Sequence, residues 1–124
     1  MIIPINTNTD KLFRQLVELL SRFPPLNKLR PRELDVLAEL IRYNYIHRKL
    51  EPEVRQVVIF STKTRKEICT NINMNEDTLN NNLSILRRNN VLTKDNKLPE
   101  YLNIVPTNGL YKFSIVFKLD DNDI

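Results

Sequence analysis

Asn80, Asn81, Ser84, Arg87 and Arg88 lie at intervals that a helix would gather on one side, and their side chains are of the kinds that contact nucleic acid. An asparagine amide can pair with both polar atoms of an adenine edge, and an arginine guanidinium with guanine or with phosphate. Lys63, Arg65 and Lys66 precede this stretch, while Lys94, Lys97 and Lys112 follow it, so further cations could hold a phosphate backbone on either side. Glu76 and Asp77 open the same stretch. Beside a line of phosphates they are unfavourable unless they accept from cytosine amino groups. Each feature also has a plain structural reading. Asn80, Asn81 and Asn82 suit a solvated helix face in a chain that holds 16 asparagines. Arg87 and Arg88 suit the negative end of a helix dipole, as Glu76 and Asp77 suit the positive end.

Other chemistries find little support. No glycine-rich loop is present to cradle a nucleotide, the single glycine being Gly109, and no serine or cysteine nucleophile has a base nearby in sequence. One cysteine, Cys69, and one histidine, His47, cannot assemble a zinc site or an internal disulfide. Cys69 reads as a small core residue and His47 as a surface polar one. Neither catalysis nor a cofactor is expected. Residues 1–119 carry 19 basic and 12 acidic side chains, and Asp120, Asp121 and Asp123 bring the formal charge down to +4. A mildly basic body of this kind is compatible with a polyanionic partner.

The longest apolar run, residues 57–60, falls far short of the ~20 residues that a bilayer requires, so no membrane partner is expected. The first residues lack the basic region, apolar stretch and cleavage site of a secretion signal. That absence predicts a cytoplasmic protein, in a host cytoplasm or within a virion. The abundance of Asn, Lys and Ile points to an AT-rich coding sequence, as in a phage, a mobile element or a low-GC bacterium.

The elements that would position these residues can be read from periodicity and caps. Asn8, Thr9 and Asp10 supply N-cap chemistry for a helix over residues 10–22, which Phe23-Pro24-Pro25 ends. Pro31 in a first turn begins a second helix over 31–48, whose wide apolar stripe of Leu34, Leu37, Leu40 and Ile41 marks it as central. Residues 51–53 read as a linker and 56–60 as a short strand or, as the weaker alternative, a helical turn. Thr64 and Glu67 have the spacing of a capping box. The helix they begin carries Ile68, Cys69 and Ile72 inward. Asn73 stands where the chain must turn, Met74 plugs the turn, and Asn75 caps a helix that carries Leu79, Leu83 and Leu86. Two helices so tightly joined must cross steeply. Beyond them, residues 91–93 and 110–118 read as strands, and Asn108-Gly109 as a hairpin turn. The apolar content of residues 98–106 predicts a loop that packs onto something.

Together, Thr64, Glu67, Ile68, Cys69, Ile72, Asn73, Met74, Asn75, Thr78, Leu79, Leu83 and Leu86 resemble the helix-turn-helix of winged-helix proteins. With the helix before and the strands after, the likeness covers roughly residues 29–119. It departs from the superfamily pattern at Asn73, where glycine is usual, and at the acids Glu76 and Asp77. The resemblance implies a mainly α fold with a small β-wing: a winged helix-turn-helix with an extra N-terminal helix. Residues 1–28 would form that helix and a proline-rich linker, 29–119 the winged-helix domain, and 120–124 an acidic tail.

It also implies binding of double-stranded DNA, in transcription or replication control of a phage or mobile element. The DNA-binding residues would be Lys63, Arg65, Lys66, Asn80, Asn81, Ser84, Arg87 and Arg88, with Lys94, Lys97 and Lys112 serving from the wing. A homodimer joined through the N-terminal helix is one arrangement. The alternative is a non-enzymatic interaction or assembly module, such as a phage virion component, which the acids at 76–77, the apolar loop and the acidic tail favour.

Overall fold

A computed structural model describes residues 1–123 of the chain. Five α-helices form the body: α1 (Thr9–Leu20), α2 (Pro31–Ile46), α3 (Pro52–Ile59), α4 (Thr62–Ile72) and α5 (Glu76–Arg88). α2 packs against each of the other four, as its wide apolar stripe predicts. Val36, Leu37, Leu40 and Ile41 are fully enclosed there. α1 adds Phe13, Leu16 and Val17 to the same core, and α5 adds Leu79, Leu83 and Leu86.

Local chemistry sets the helix ends. The Asn8 side chain accepts from the Lys11 amide at 3.0 Å and starts α1. Pro31 occupies the first turn of α2, where Glu33 folds back to accept from the Arg30 amide at 2.5 Å. The cap of α4 lies one turn earlier than the Thr64 capping box predicts. Ser61 is the N-cap, its hydroxyl accepting from the Thr64 amide at 3.3 Å. The Thr64 side chain is buried and donates instead to the Val58 carbonyl at 2.8 Å, while Glu67 accepts from the Tyr43 hydroxyl at 3.0 Å. Because the Ser61 hydroxyl also donates to Val58 at 2.7 Å, one carbonyl at the end of α3 ties it to the start of α4.

Residues 56–60, predicted as a strand, lie mostly in α3. Val57 and Ile59 favour a pleated surface, but that preference has content only where a neighbouring strand exists. Here Pro52 and Glu53 begin a helix, and Arg55 fastens it by donating to the carbonyls of Arg48 and Leu50 at 3.1 and 3.0 Å.

The turn after α4 forms as the sequence predicts. Asn73 takes the left-handed conformation, with φ of 52°, and the Met74 amide closes the helix on the Cys69 carbonyl at 2.9 Å. Arg32 donates from α2 to the carbonyls of Ile72 and Asn73 at 2.7 and 3.1 Å, so the central helix grips the turn. Asn75 then caps α5, accepting from the Thr78 amide at 2.8 Å.

The β-wing is absent: the body is all-helical, and no strand or sheet is formed among the described residues. The Asn108-Gly109 turn is made, both residues at positive φ, but only the single pair Thr107 and Leu110 bridges across it. The ladder stops there because the chain before Thr107 is committed elsewhere: Leu102 and Ile104 are buried in the helical core. Residues 98–106 thus find their packing surface on the body itself, at the expense of the strand that residues 110–118 would need. Residues 91–93, also predicted as a strand, bury Val91 and Leu92 directly after α5 without pairing. Asp120 and Asp121 of the acidic tail are exposed, and Ile124 lies outside the described residues.

Candidate nucleic-acid interface

The faces of α4 and α5 that remain in solvent meet at a depression of about 340 Å³ lined by Arg65, Asn80, Ser84 and Arg87, with Phe60, Leu83 and Asn96. Four residues proposed from sequence are thereby brought together, from two helices. The spacing of Leu79, Leu83 and Leu86 turns the apolar side of α5 onto α2 and leaves Asn80 and Ser84 facing out. Arg65 projects from α4, and its terminal nitrogen donates to the Asn80 side-chain oxygen. The Ser84 hydroxyl donates to the Asn80 carbonyl at 3.1 Å. Arg87 donates through Nε to the Asn96 side-chain oxygen at 2.8 Å.

Neither arginine has a carboxylate within 4.0 Å among the described residues, and the buried Nε of Arg65 has no hydrogen-bond partner. A guanidinium held by an amide keeps its full charge. Two such groups around a concave, partly apolar surface favour an anion, and a tetrahedral phosphate offers acceptors to both.

The remaining predicted residues fall at varying distances from this centre. Lys63 and Lys66 are exposed on the first turns of α4 beside Arg65, and Arg88 is exposed next to Arg87. Asn81 is exposed and has no side-chain hydrogen bond to another described residue, whereas Asn82 is buried and donates to the Met74 sulfur at 3.4 Å. Lys94 and Lys97 belong to a compact turn over residues 93–97 rather than to a wing. Within it the Thr93 amide donates to the Lys97 carbonyl at 3.0 Å. Lys112 is exposed on the segment after the Asn108-Gly109 turn and lines neither this depression nor the one beside α3.

Sequence reasoning missed Asn96 and Phe60. Asn96 had a legible signal as an asparagine in a four-residue polar turn, where positive φ is common; its φ is 63°. The acids Glu76 and Asp77 are exposed in the first turn of α5, while Arg87 and Arg88 stand in its last turn.

A second depression, of about 350 Å³, opens between α3 and the loop that carries Leu98 and Asn103. Its arginine, Arg55, is committed to the carbonyls of Arg48 and Leu50 in the turn after α2 and to the Asn44 side-chain oxygen at 3.4 Å, which makes it a structural brace. Cys69 is half-buried on α4 and lines neither depression. Burial pushes its thiol above the ordinary value, Glu76 adds to the rise and Arg65 opposes it, the opposite of an activated nucleophile. No group of His, Cys, Asp and Glu suited to a metal ion occurs among the described residues.

Comparison of the chain with protein-family models, with curated proteins and with solved structures finds no match. Its functional reading therefore rests on the site itself. No helix among the described residues is long and apolar enough to cross a membrane.

Proposed function

We propose that the protein binds double-stranded DNA through the face formed by α4 and α5, with Arg65 and Arg87 taking backbone phosphate. The observation that carries this reading is the convergence of two arginines, free of carboxylates, on one concave polar surface. Lys63, Lys66, Arg88, Lys94 and Lys97 extend the positive surface around it. Asn81 is the natural base-reading side chain because both ends of its amide are free. Glu76 and Asp77 disfavour burying the start of α5 among phosphates, so the contact is centred on the middle and end of that helix. A role in transcription or replication control follows from such binding.

The test is a salt titration of the full-length protein on a short duplex. Several neutralised phosphates give a steep fall of log affinity with log salt, and replacing Arg65 or Arg87 by Ala lowers the slope by about 1 each. Flat or absent binding at low salt overturns the reading. A protein-assembly role is the second reading. It is favoured by the exposed apolar residues near both ends, Met1, Ile2, Ile3 and Ile5 at one and Val116, Phe117 and Leu119 at the other. Under that reading the native protein co-purifies in a stoichiometric particle.

A further inference from the structure

Residues 111–119 adopt no helix or paired strand beyond the Asn108-Gly109 turn, and no backbone hydrogen bond engages them among the described residues. Their pattern is that of a strand with one buried face. Tyr111, Phe113, Ile115, Phe117 and Leu119 alternate with Lys112, Ser114, Val116 and Lys118. The apolar side has a foothold on the body: Tyr111 is half-buried against the helical core, and its ring lies 6.2 Å from that of Phe113. Farther along, Phe117 and Leu119 stand 83% and 73% exposed. A row of unpaired amides and carbonyls next to such a face is a template for another strand.

We propose that this segment pairs antiparallel with the same segment of a second copy of the chain, forming a two-stranded ribbon whose symmetry axis passes through Val116. The partner and the register follow from charge. Pairing centred on Ile115 would set Lys112 directly opposite Lys118, like charges that repel across a ribbon. Pairing centred on Ser114 leaves both lysines against apolar residues. Centring on Val116 places Lys112 opposite Asp120 twice over, once on each side of the axis. The same register sets Phe113 against Leu119 and Ile115 against Phe117 on the apolar side. A two-stranded ribbon in water is marginal unless its apolar face is covered, and the foothold at Tyr111 lets the helical bodies cover it. This ribbon is distinct from a wing, since its partner strand comes from another molecule. It does not rest on DNA binding.

Light scattering on the full-length protein tests the association, and cysteine cross-linking tests the register. In a Cys69→Ala background, Val116→Cys gives a disulfide-linked dimer on mild oxidation, because the two side chains face each other across the axis. Ser114→Cys stays unlinked, because its counterpart lies four residues away along the ribbon. Lys112→Asp and Asp120→Lys each shift the protein toward monomer, and combining them restores the dimer. Phe117→Glu abolishes it with the helical circular dichroism unchanged. A wild-type protein that is monomeric at every accessible concentration overturns the proposal, as does equal cross-linking at positions 114 and 116. So does association with a different polypeptide through this segment in place of a second copy.

Discussion

Two surfaces of one helical body treat arginine differently. On the α1 and α2 side, Arg14 divides its guanidinium between Glu18 at 2.5 Å and Asp35 at 2.7 Å, and the other oxygen of Asp35 takes Arg32 at 3.0 Å. On the α4 and α5 side, Arg65 and Arg87 bond to the neutral amides of Asn80 and Asn96. Residue type is the same, but the partner decides what remains for a ligand. A carboxylate neutralises the cation and makes it part of the architecture; an amide orients the group and leaves the charge uncancelled.

The sharpest way to break this contrast is to remove the amide-held pair. Arg65→Ala combined with Arg87→Ala should lower duplex affinity at low salt by on the order of 100-fold, each lost phosphate contact contributing about tenfold, with the thermal midpoint little changed. Fluorescence anisotropy and a melting curve on the same sample decide it. Arg14→Ala should do the reverse. It costs about 1 kcal/mol of stability, because Glu18 loses its partner and Asp35 keeps only Arg32, and it leaves DNA affinity unaltered. If Arg14→Ala weakened binding as much as the double variant, the two surfaces would not differ.

Glu39 tests whether pairing on the α2 side is always favourable. Burial raises its carboxyl above the ordinary value, and Arg42, 3.4 Å away, offsets only part of that rise. A carboxyl raised in the folded protein favours folding most at a pH below its unfolded value, and this contribution is lost as pH climbs through the folded one. Glu39→Gln should therefore melt like the wild type in acid and above it near neutrality. A thermal midpoint series across the acid range reads the difference. The smallest effect is expected at α5: Glu76→Gln should tighten duplex binding a few-fold, about 0.5 kcal/mol, by removing one charge beside the phosphates. Unchanged binding would place that end of the helix away from the DNA.

What could be read from the sequence was what depends on neighbours along the chain. The stripe of α2, the Asn73 turn, the Asn75 cap and the leucines of α5 follow from local geometry and periodicity. The α3 helix and the missing wing did not, because a β-branched run records a preference that only a paired strand can realise. What halts pairing after Thr107 and Leu110 is the burial of Leu102 and Ile104 in the helical core, a contact between distant residues that no local signal records. For the site, the residue types were legible and their assembly was not. Arg65 meets Asn80 from the helix that Ser61 caps, a turn before the Thr64 box suggested, and Asn96 arrives from a turn that sequence assigned to a wing.

Arg32 deserves a mechanical reading. Its guanidinium holds the two carbonyls at the joint between α4 and α5 while also resting on Asp35. The joint is thereby bolted to the longest helix of the body, and α5 cannot swing on Asn73 as a free lever. A target must fit the angle at which this plate is already set, so any bending on contact is expected in the DNA rather than in the protein.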